Sequence, residues 1–345
     1  MKKASLLFTV ISILFCACSG KNNSKQEAES NNLVNTHIVV AYVTSWSSIM
    51  PDPSYITHIN YAFGHVNESF NGVRIDNEPR LTSIVDIKKN NPELKIMLSI
   101  GGWESGRFSE MAADAVNRKA FADDCKRVVD KFGLDGIDID WEYPTSNEAG
   151  ISFSPDDTGN FTLLMRDIRE AIGDDKLLTL ASSYLAEYID FKAINNYVDF
   201  VNIMTYDMGR PPYHNAPLYK SVFTRNLSAD QSVDAHVAKG IPLSKLTLGM
   251  PFYGRGIEKL GRFINYKDIS SIEGYTHLWD SVAQVSYIVD DKDSLIFSYD
   301  DERSLKIKCE YILQKEMLGA MYWDYDGDDD NGTLRKTVYN TVMGK

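Results

Sequence analysis

The 345-residue sequence has few cysteines, few histidines and a deficit of basic side chains. Its six histidines show no spacing typical of a metal site, and its four cysteines are too few for disulfides to hold the chain together. With 48 acidic against 36 basic residues, the formal net charge is −12. This charge argues against nucleic acid or another polyanion as the main partner and leaves neutral ligands open.

The sequence also lacks the glycine patterns of nucleotide-binding loops. Its glycine-rich turn, SIGGW at residues 99–103, has neither the GxGxxG nor the GKS pattern. The acidic segment DYDGDDDNG, residues 324–332, misses the register of a calcium-binding EF-hand loop and is interpreted as a solvated loop. We therefore expect no metal ion and no cofactor.

The N-terminal apolar run, Ala4 to Ala17, follows two lysines and is too short to span a bilayer, which is typical of a secretory signal. Its end, FCACSG, resembles a bacterial lipoprotein signal, in which the cysteine after a small residue is acylated. This predicts a signal peptide at residues 1–18 and lipidation of Cys18, which would anchor the protein to the bacterial cell envelope, at the outer membrane or cell surface. An ordinary cleaved signal peptide is the alternative.

Residues 19–35 are polar and without aromatic side chains, which predicts a flexible tether. Residues 36–345 are long enough for one large α/β domain or two small ones, and we expect a monomer. Cys125 and Cys309 both lie in helical patterns far apart in the sequence. Small buried thiols are the favoured interpretation, with a disulfide as the alternative.

Eight apolar, β-branched runs alternate with helical patterns along this domain. The runs are HIVVAYVTSW, ITHINYAFGHV, KIMLSIGGW, DGIDIDWEYP, KLLTLASSY, VDFVNIMTYDM, KLTLGMPFYGR and GAMYWDYDG. Alternation of strand and helix indicates parallel pairing, and eight repeats favour a (β/α)8 TIM barrel over an open doubly wound sheet.

One interval, residues 256–299, is too long for an ordinary connection between a strand and a helix. It contains two β-like pieces, QVSYIVD and SLIFSYD. We interpret it as a small insertion after strand seven that forms one wall of a cleft. A mobile flap is the alternative, but its apolar segments argue against it.

The stretch LDGIDIDWEYP, residues 134–144, places acidic residues inside an apolar run. Asp138, Asp140 and Glu142 alternate with apolar residues, so on a strand they share one face at intervals of about 6.6 Å. Active sites of barrel enzymes lie at the C-terminal ends of the strands, which puts Glu142 at the mouth. Carboxyl groups this close raise one another's pKa, and a protonated carboxyl in an aromatic pocket can donate its proton to a leaving group.

Other strand ends supply candidate binding residues rich in aromatic rings, which stack on flat apolar faces such as those of sugars. Core packing is the alternative for Met204, Tyr206 and Trp323. The candidates are Tyr42, Trp46, Tyr61, Phe63, Ser99, Gly101, Gly102, Trp103, Tyr143, Met204, Tyr206, Asp207, Tyr253, Arg255 and Trp323.

The segment LDGIDIDWE resembles the signature DGxDxDxE of family 18 glycoside hydrolases, the chitinase family. SIGGW, which precedes this segment, and MTYD, GMPFYGRG and GAMYWDYD, which come after it, fall in the order and spacing that this family shows, and the resemblance covers residues 37–329. It implies hydrolysis of β-1,4-linked N-acetylglucosamine chains, chitin or chitooligosaccharides, with retention of configuration. The nucleophile in this family is the 2-acetamido group of the substrate, which forms an oxazolinium ion.

The resemblance also implies a role for each acid. Glu142 would protonate the glycosidic oxygen and then activate water. Asp140 would bind the acetamido N–H and balance the oxazolinium charge, while Asp138 would share a proton with it until Asp140 turns toward Glu142. Asp135 belongs to the signature, but its register predicts a structural role.

For the remaining residues, the resemblance implies contacts to the sugar. Tyr206 would bind the acetamido oxygen, Asp207 would help to clamp the same sugar, and Trp323 would form the floor beneath it. Two alternatives remain open: an endo-β-N-acetylglucosaminidase acting on N-glycans, and a chitin-binding lectin without catalysis. Lectins of this kind typically lack the acid that corresponds to Glu142.

Overall fold

The computed structural model describes residues 37–345. The predicted signal peptide, the tether and the acylated Cys18 lie outside these residues. Eight parallel strands form a closed barrel, because the first strand pairs with both the second and the eighth. The strands are Ile38–Thr44, His58–Val66, Lys95–Gly101, Gly136–Asp140, Leu177–Ser183, Phe200–Met204, Leu246–Pro251 and Gly319–Trp323. The prediction of a (β/α)8 barrel is confirmed.

Helices surround the barrel and connect successive strands. The α-helices are Glu78–Val85, Phe108–Ala113, Ala115–Phe132, Asp157–Ile172, Phe191–Ile194, Ala229–Ala238, Glu302–Lys315 and Thr333–Met343. Short 3-10 helices lie at Pro53–Tyr55, Asp86–Lys89, Leu243–Lys245, Tyr266–Ser271 and Tyr325–Gly327. Among residues 37–345, none of the helices combines the length and apolar composition needed to cross a bilayer.

The helix Ala115–Phe132 shows how the sequence sets these boundaries. The Asp114 side chain caps its first turn by accepting hydrogen bonds from the Val116 and Asn117 amides. The helix ends at Gly133, whose φ of 66° favours glycine. Its buried face includes Cys125, and both Cys125 and Cys309 are buried free thiols, as predicted.

The side chains of the fourth strand alternate between the outer face of the barrel and its interior. Ile137 and Ile139 face the helices and are fully buried in the main core. Asp138 faces the barrel interior, where the register sets it beside Ser99 and Thr179 of the neighbouring strands. The barrel interior at this level is therefore polar, and it supports the floor of the cleft.

A second, antiparallel sheet lies between the seventh barrel strand and helix Glu302–Lys315. Its strands are Tyr253–Gly256, Ile264–Asn265, Thr276–Asp280, Val285–Val289 and Leu295–Tyr299. It has its own small core of Ile269, Ile272, Ile288, Ile296 and Phe297. This sheet is the insertion after strand seven, although it begins at Tyr253 rather than at residue 256.

Candidate active site

A cleft of about 760 Å³ opens at the C-terminal ends of the barrel strands. Most of the residues predicted to form the site line it. Those residues are Tyr42, Trp46, Phe63, Gly101, Trp103, Asp140, Glu142, Tyr143, Met204, Tyr206, Asp207, Tyr253, Arg255 and Trp323.

The three acids Asp138, Asp140 and Glu142 lie at different depths below the mouth of the cleft. Asp138 is 0% exposed and Asp140 is 4% exposed. Glu142 follows the last strand residue and is partly exposed. The predicted order, with Glu142 at the mouth and Asp138 deepest, is the order that the structure shows.

Asp138 is held by four donors from the first, third, fifth and sixth barrel strands. Its Oδ2 accepts hydrogen bonds from the Tyr42 hydroxyl and the Ser99 hydroxyl, each at 2.8 Å. Its Oδ1 accepts from the Thr179 hydroxyl at 2.5 Å and from the Asn202 amide at 3.3 Å. Burial raises the pKa of Asp138, and these hydrogen bonds oppose the rise. Both oxygens are thus occupied by fixed neighbours of the barrel interior.

Asp140 has no such set of partners. Its Oδ1 atom is buried and accepts no hydrogen bond among the residues that the structure describes. The shared proton between Asp138 and Asp140 stays a prediction, since both oxygens of Asp138 are bonded elsewhere in this conformation. Burial, followed by the charges of Glu142 and Asp138, raises the pKa of Asp140 well above its usual value. A buried acceptor without a partner is suited to a donor from a ligand.

Glu142 is poised as a proton donor near neutral pH. Burial raises its pKa to about 7, and the negative charge of Asp207 adds to the rise, while a hydrogen bond from Tyr143 opposes it. The carboxyl group is therefore largely protonated in mildly acidic solution, which is the state that general acid catalysis requires.

This pKa predicts the alkaline limb of the activity profile. Because Glu142 must be protonated, kcat/KM should fall as pH rises through about 7. Asp207→Asn removes a negative charge that raises this pKa, so the limb should move to lower pH. Glu148→Gln, which removes an exposed carboxylate of the same cleft, should leave the limb in place. A limb that does not respond to Asp207→Asn would contradict this assignment of the pKa shift.

Asp207 and Arg255 form a two-pronged ion pair at the wall of the cleft. Arg255 Nε donates to Asp207 Oδ1 and Nη2 donates to Oδ2, both at 2.6 Å. The guanidinium lies over the rings of Tyr253 and Phe263, 5.2 Å from each centroid. This geometry fixes the Asp207 carboxylate beside the acids. The hydroxyl of Tyr206, one residue earlier, makes a weak hydrogen bond of 3.8 Å to the Met321 sulfur.

Aromatic rings form the floor of the cleft at the first, second and eighth strands. Trp323 stacks on Phe63 at 5.6 Å between centroids, and it contacts Tyr42 and Trp46 at 5.7 and 6.3 Å. Trp46 is 66% exposed, and Trp103, in the turn after the third strand, is 54% exposed. Exposed rings of this size in a concave site offer flat surfaces for stacking of a sugar.

Three of the predicted binding residues, Ser99, Tyr61 and Gly102, do not line the cleft. Ser99 does not line the cleft, because its hydroxyl points into the barrel and donates to Asp138. Tyr61 points away from the barrel interior, and its hydroxyl donates to the carbonyl groups of Asp76 and Asn77. Ser99 therefore acts on the site through Asp138 rather than through a ligand.

The glycines of SIGGW are required by close approach of the chain. A Cβ atom at Gly101 would lie 1.9 Å from the Asp140 carbonyl oxygen. At Gly102 it would lie 2.7 Å from the Phe63 ring. Gly101 lines the cleft, whereas Gly102 does not. The role of Gly102 is therefore to let the turn pack against Phe63.

Non-proline cis peptide bonds precede Phe63 and Tyr143 and follow Trp323.

The structural role predicted for Asp135 agrees with its contacts. Its Oδ2 accepts hydrogen bonds from Lys88 Nζ at 2.6 Å and from the Ile96 amide at 2.7 Å.

In the acidic loop after the eighth strand, Asp328 accepts hydrogen bonds from the amides of Leu334 and Arg335 and thus caps the last helix. Within residues 37–345, no group of three or more His, Cys, Asp or Glu side chains is arranged to hold a metal ion.

The cleft also contains residues that the sequence reasoning missed. Most of them lie in loops beyond the strand ends, where hydrophobic periodicity gives no signal. They are His65, Asp76, Glu148, Ala181, Ser183, Tyr184, Leu185, Arg210, Arg225, Asn226 and Phe263.

A buried column of carboxyl groups beneath an aromatic cleft, at the C-terminal face of a (β/α)8 barrel, is the arrangement of a glycoside hydrolase. The sequence pattern described as "Glycosyl hydrolases family 18" matches residues 38–328. The chain belongs to this family.

Individual relatives agree with this assignment. The sequence is 30% identical to Chitinase A1 of Niallia circulans, over 88% of this chain but only 58% of that protein's length. It is 31% identical to Chitotriosidase-1 of Mus musculus, over 86% of this chain and 74% of that protein. Among solved structures, a glycoside hydrolase family 18 N-acetylglucosaminidase from Paenibacillus barengoltzii matches with a TM-score of 0.80 and 32% identity. That match covers 88% of this chain and 99% of the other.

Proposed function

We propose that this protein hydrolyses β-1,4-linked N-acetylglucosamine chains, chitin or chitooligosaccharides, by a retaining, substrate-assisted mechanism. The observation that carries the proposal is the pairing of Glu142, whose pKa is about 7, with the buried Asp140, whose Oδ1 has no hydrogen-bond partner among the described residues. The names of the relatives, chitinases and an N-acetylglucosaminidase, support the substrate class.

In the first step, protonated Glu142 donates its proton to the glycosidic oxygen as the bond to the anomeric carbon breaks. The 2-acetamido oxygen of the same sugar attacks that carbon and forms an oxazolinium ion. The free Oδ1 of Asp140 accepts the acetamido N–H. The proton that Asp140 shares with Asp138 stays on Asp138, and the developing positive charge of the sugar favours this ionised form of Asp140, whose negative charge stabilises the oxazolinium ion. In the second step, the Glu142 carboxylate takes a proton from water as the water oxygen attacks the anomeric carbon. The bond between that carbon and the acetamido oxygen breaks, which restores the acetamido group and the original configuration.

Other cleft residues hold the sugar for this attack. Tyr206 donates its hydroxyl hydrogen to the acetamido oxygen, since the weak hydrogen bond from this hydroxyl to the Met321 sulfur is readily exchanged. Asp207 is fixed by Arg255 and accepts hydrogen bonds from the same sugar. Trp323 lies beneath the ring, supported by its stack on Phe63.

The test is a product profile on chitooligosaccharides of defined length, compared with release of glycans from a high-mannose glycoprotein. Cleavage of the oligosaccharides supports the proposal. Release of N-glycans alone would identify an endo-β-N-acetylglucosaminidase, which would use the same acids. Tight binding of the oligosaccharides without cleavage would identify a lectin.

We further propose that the mature protein is anchored in the bacterial cell envelope by acylation of Cys18, as the segment FCACSG indicates. A diacylated cysteine gives stable anchoring that one acyl chain does not. Cys18→Ala should therefore move the protein from the membrane fraction to the soluble fraction of cells. Cys16→Ala is the matched control and should leave it in the membrane fraction. Retention of the Cys18→Ala protein in membranes after a high-salt wash would contradict the anchor.

A further inference from the structure

The cleft carries two arginines that the acid column does not use. Arg210 follows the sixth barrel strand and Arg225 precedes helix Ala229–Ala238; both are exposed and line the cleft. Within residues 37–345, neither guanidinium has an ion-pair or hydrogen-bond partner. Arg255 differs from them, because its guanidinium is fully engaged by Asp207.

The loop that carries both arginines is held in place by its own contacts. A backbone hydrogen bond of 2.9 Å from the His214 amide to the Phe223 carbonyl joins the two parts of the loop. The Asn226 side chain donates to the Tyr184 hydroxyl at 3.3 Å, which joins the loop to the end of the fifth strand. The two positive charges therefore lie on the side of the cleft formed by the fifth and sixth strands.

This position is away from the reacting bond. The aromatic floor under Trp323 belongs to the eighth, first and second strands, on the other side of the barrel mouth. The charge that acts on Glu142 from this side of the cleft is that of Asp207, which is paired with Arg255 rather than with either of these arginines. A group bound by the arginines would thus belong to a sugar next to the cleaved one, not to the cleaved sugar itself.

The unpaired guanidinium groups favour a carboxylate as that group. Among the described residues of the cleft, Asp207 is already paired with Arg255 and Asp76 is bonded to His65 at 2.9 Å, whereas Arg210 and Arg225 have no acidic partner. Guanidinium groups match carboxylates in shape and charge. The net charge of −12 still disfavours binding of a polyanion. Charges in solution are screened over about 10 Å, so the binding of a single carboxylate depends on the arginines close to it more than on the net charge of the protein.

We propose that Arg210 and Arg225 bind a carboxylate on the sugar chain, so that the enzyme acts faster on acidic N-acetylglucosamine-containing glycans than on neutral ones. This inference rests on the proposed function. The carboxylate has two chemical sources: a hexuronic acid in the chain, or a carboxyalkyl ether on a sugar hydroxyl. In either case the N-acetyl group of the cleaved sugar is still required.

The test uses N-acetylglucosamine oligomers of one length that carry a single 6-carboxylate sugar or a single O-carboxyalkyl sugar. The methyl ester of each is the uncharged control. The wild-type kcat/KM should be about 10- to 100-fold higher for acid than for ester, since hydrogen bonds between charged groups are among the strongest. This ratio should shrink with added salt. The source is identified by which of the two acids shows the larger ratio.

Arg210→Gln combined with Arg225→Gln should bring the ratio of acid to ester down to about one. Lys306→Gln, an exposed charge on helix Glu302–Lys315, should leave the ratio unchanged. Equal rates on acid and ester in the wild type, or a ratio that survives the double substitution, would overturn the proposal. If no oligomer is cleaved, the proposed function fails. The arginine site is then tested by calorimetry, which measures the affinity of the wild type and of the double variant for the acid and for the ester. Tighter binding of the acid by the wild type alone supports the site, and equal affinities in the wild type overturn it.

Discussion

Glu142→Gln should abolish hydrolysis of chitooligosaccharides while leaving their binding largely intact. The amide keeps the shape of the side chain but cannot donate the proton that the glycosidic oxygen needs. Loss of a general acid lowers the rate by about 10²- to 10⁴-fold. Turnover by the purified variant and its affinity for an oligosaccharide, measured by calorimetry, check the two parts of this expectation.

Glu148→Gln is the matched control, because Glu148 is a second glutamate that lines the same cleft. Its side chain is exposed and is not part of the acid column, so turnover should stay close to that of the wild type. Near wild-type turnover in the Glu142→Gln variant would remove Glu142 from the mechanism.

Removal of the N-acetyl group from the cleaved sugar should have an even larger effect. The acetamido oxygen is the nucleophile in the proposed mechanism, and a nucleophile within the same molecule has an effective molarity of about 10⁵ M or more. An oligomer with glucosamine at that position, or a cellulose oligomer of the same length, should therefore be cleaved at least about 10⁵-fold more slowly. A thiazoline analogue of the oxazolinium ion should inhibit competitively.

The Asp140→Asn variant distinguishes catalysis by the acetamido group from a role of that group in substrate binding alone. The variant loses the charge that balances the oxazolinium ion, so kcat should fall more than the affinity for the substrate. Rapid cleavage of glucose-only chains by the wild type would contradict substrate assistance, whatever the variant does.

Periodicity in the sequence was sufficient to place the acids. Alternation fixes which side of a strand each residue faces, and a barrel turns one of those sides inward, so the depth order of Asp138, Asp140 and Glu142 follows from residues 134–144 alone. Periodicity accounts in the same way for the helix Ala115–Phe132, whose buried residues recur at helical spacing and which ends at Gly133.

Pairing between strands could not be predicted in this way. Ser99 stands at a strand end, but it lies opposite Asp138 in the register, and so it points below the cleft. Gly136 belongs to the signature because a Cβ atom there would lie 2.0 Å from the Leu177 carbonyl oxygen on the next strand. The insertion begins at Tyr253 because residues 254–256 pair with the strand Leu295–Tyr299.

The loops were beyond the reach of sequence patterns for a different reason. Tyr184, Arg210 and Arg225 lie in segments without a repeating hydrophobic pattern, and their place in the cleft depends on hydrogen bonds between distant parts of the chain. Each of these residues, seen alone in the sequence, is an ordinary polar surface residue.

The central claim, attack by the substrate's own acetamido group, is tested most directly by the configuration of the first product. Two successive inversions at one carbon retain the β-configuration. A proton NMR time course of chitooligosaccharide hydrolysis should therefore show the β-anomer at the new reducing end first, with the α-anomer rising later by mutarotation. Initial formation of the α-anomer would mean direct displacement by water and would contradict the mechanism.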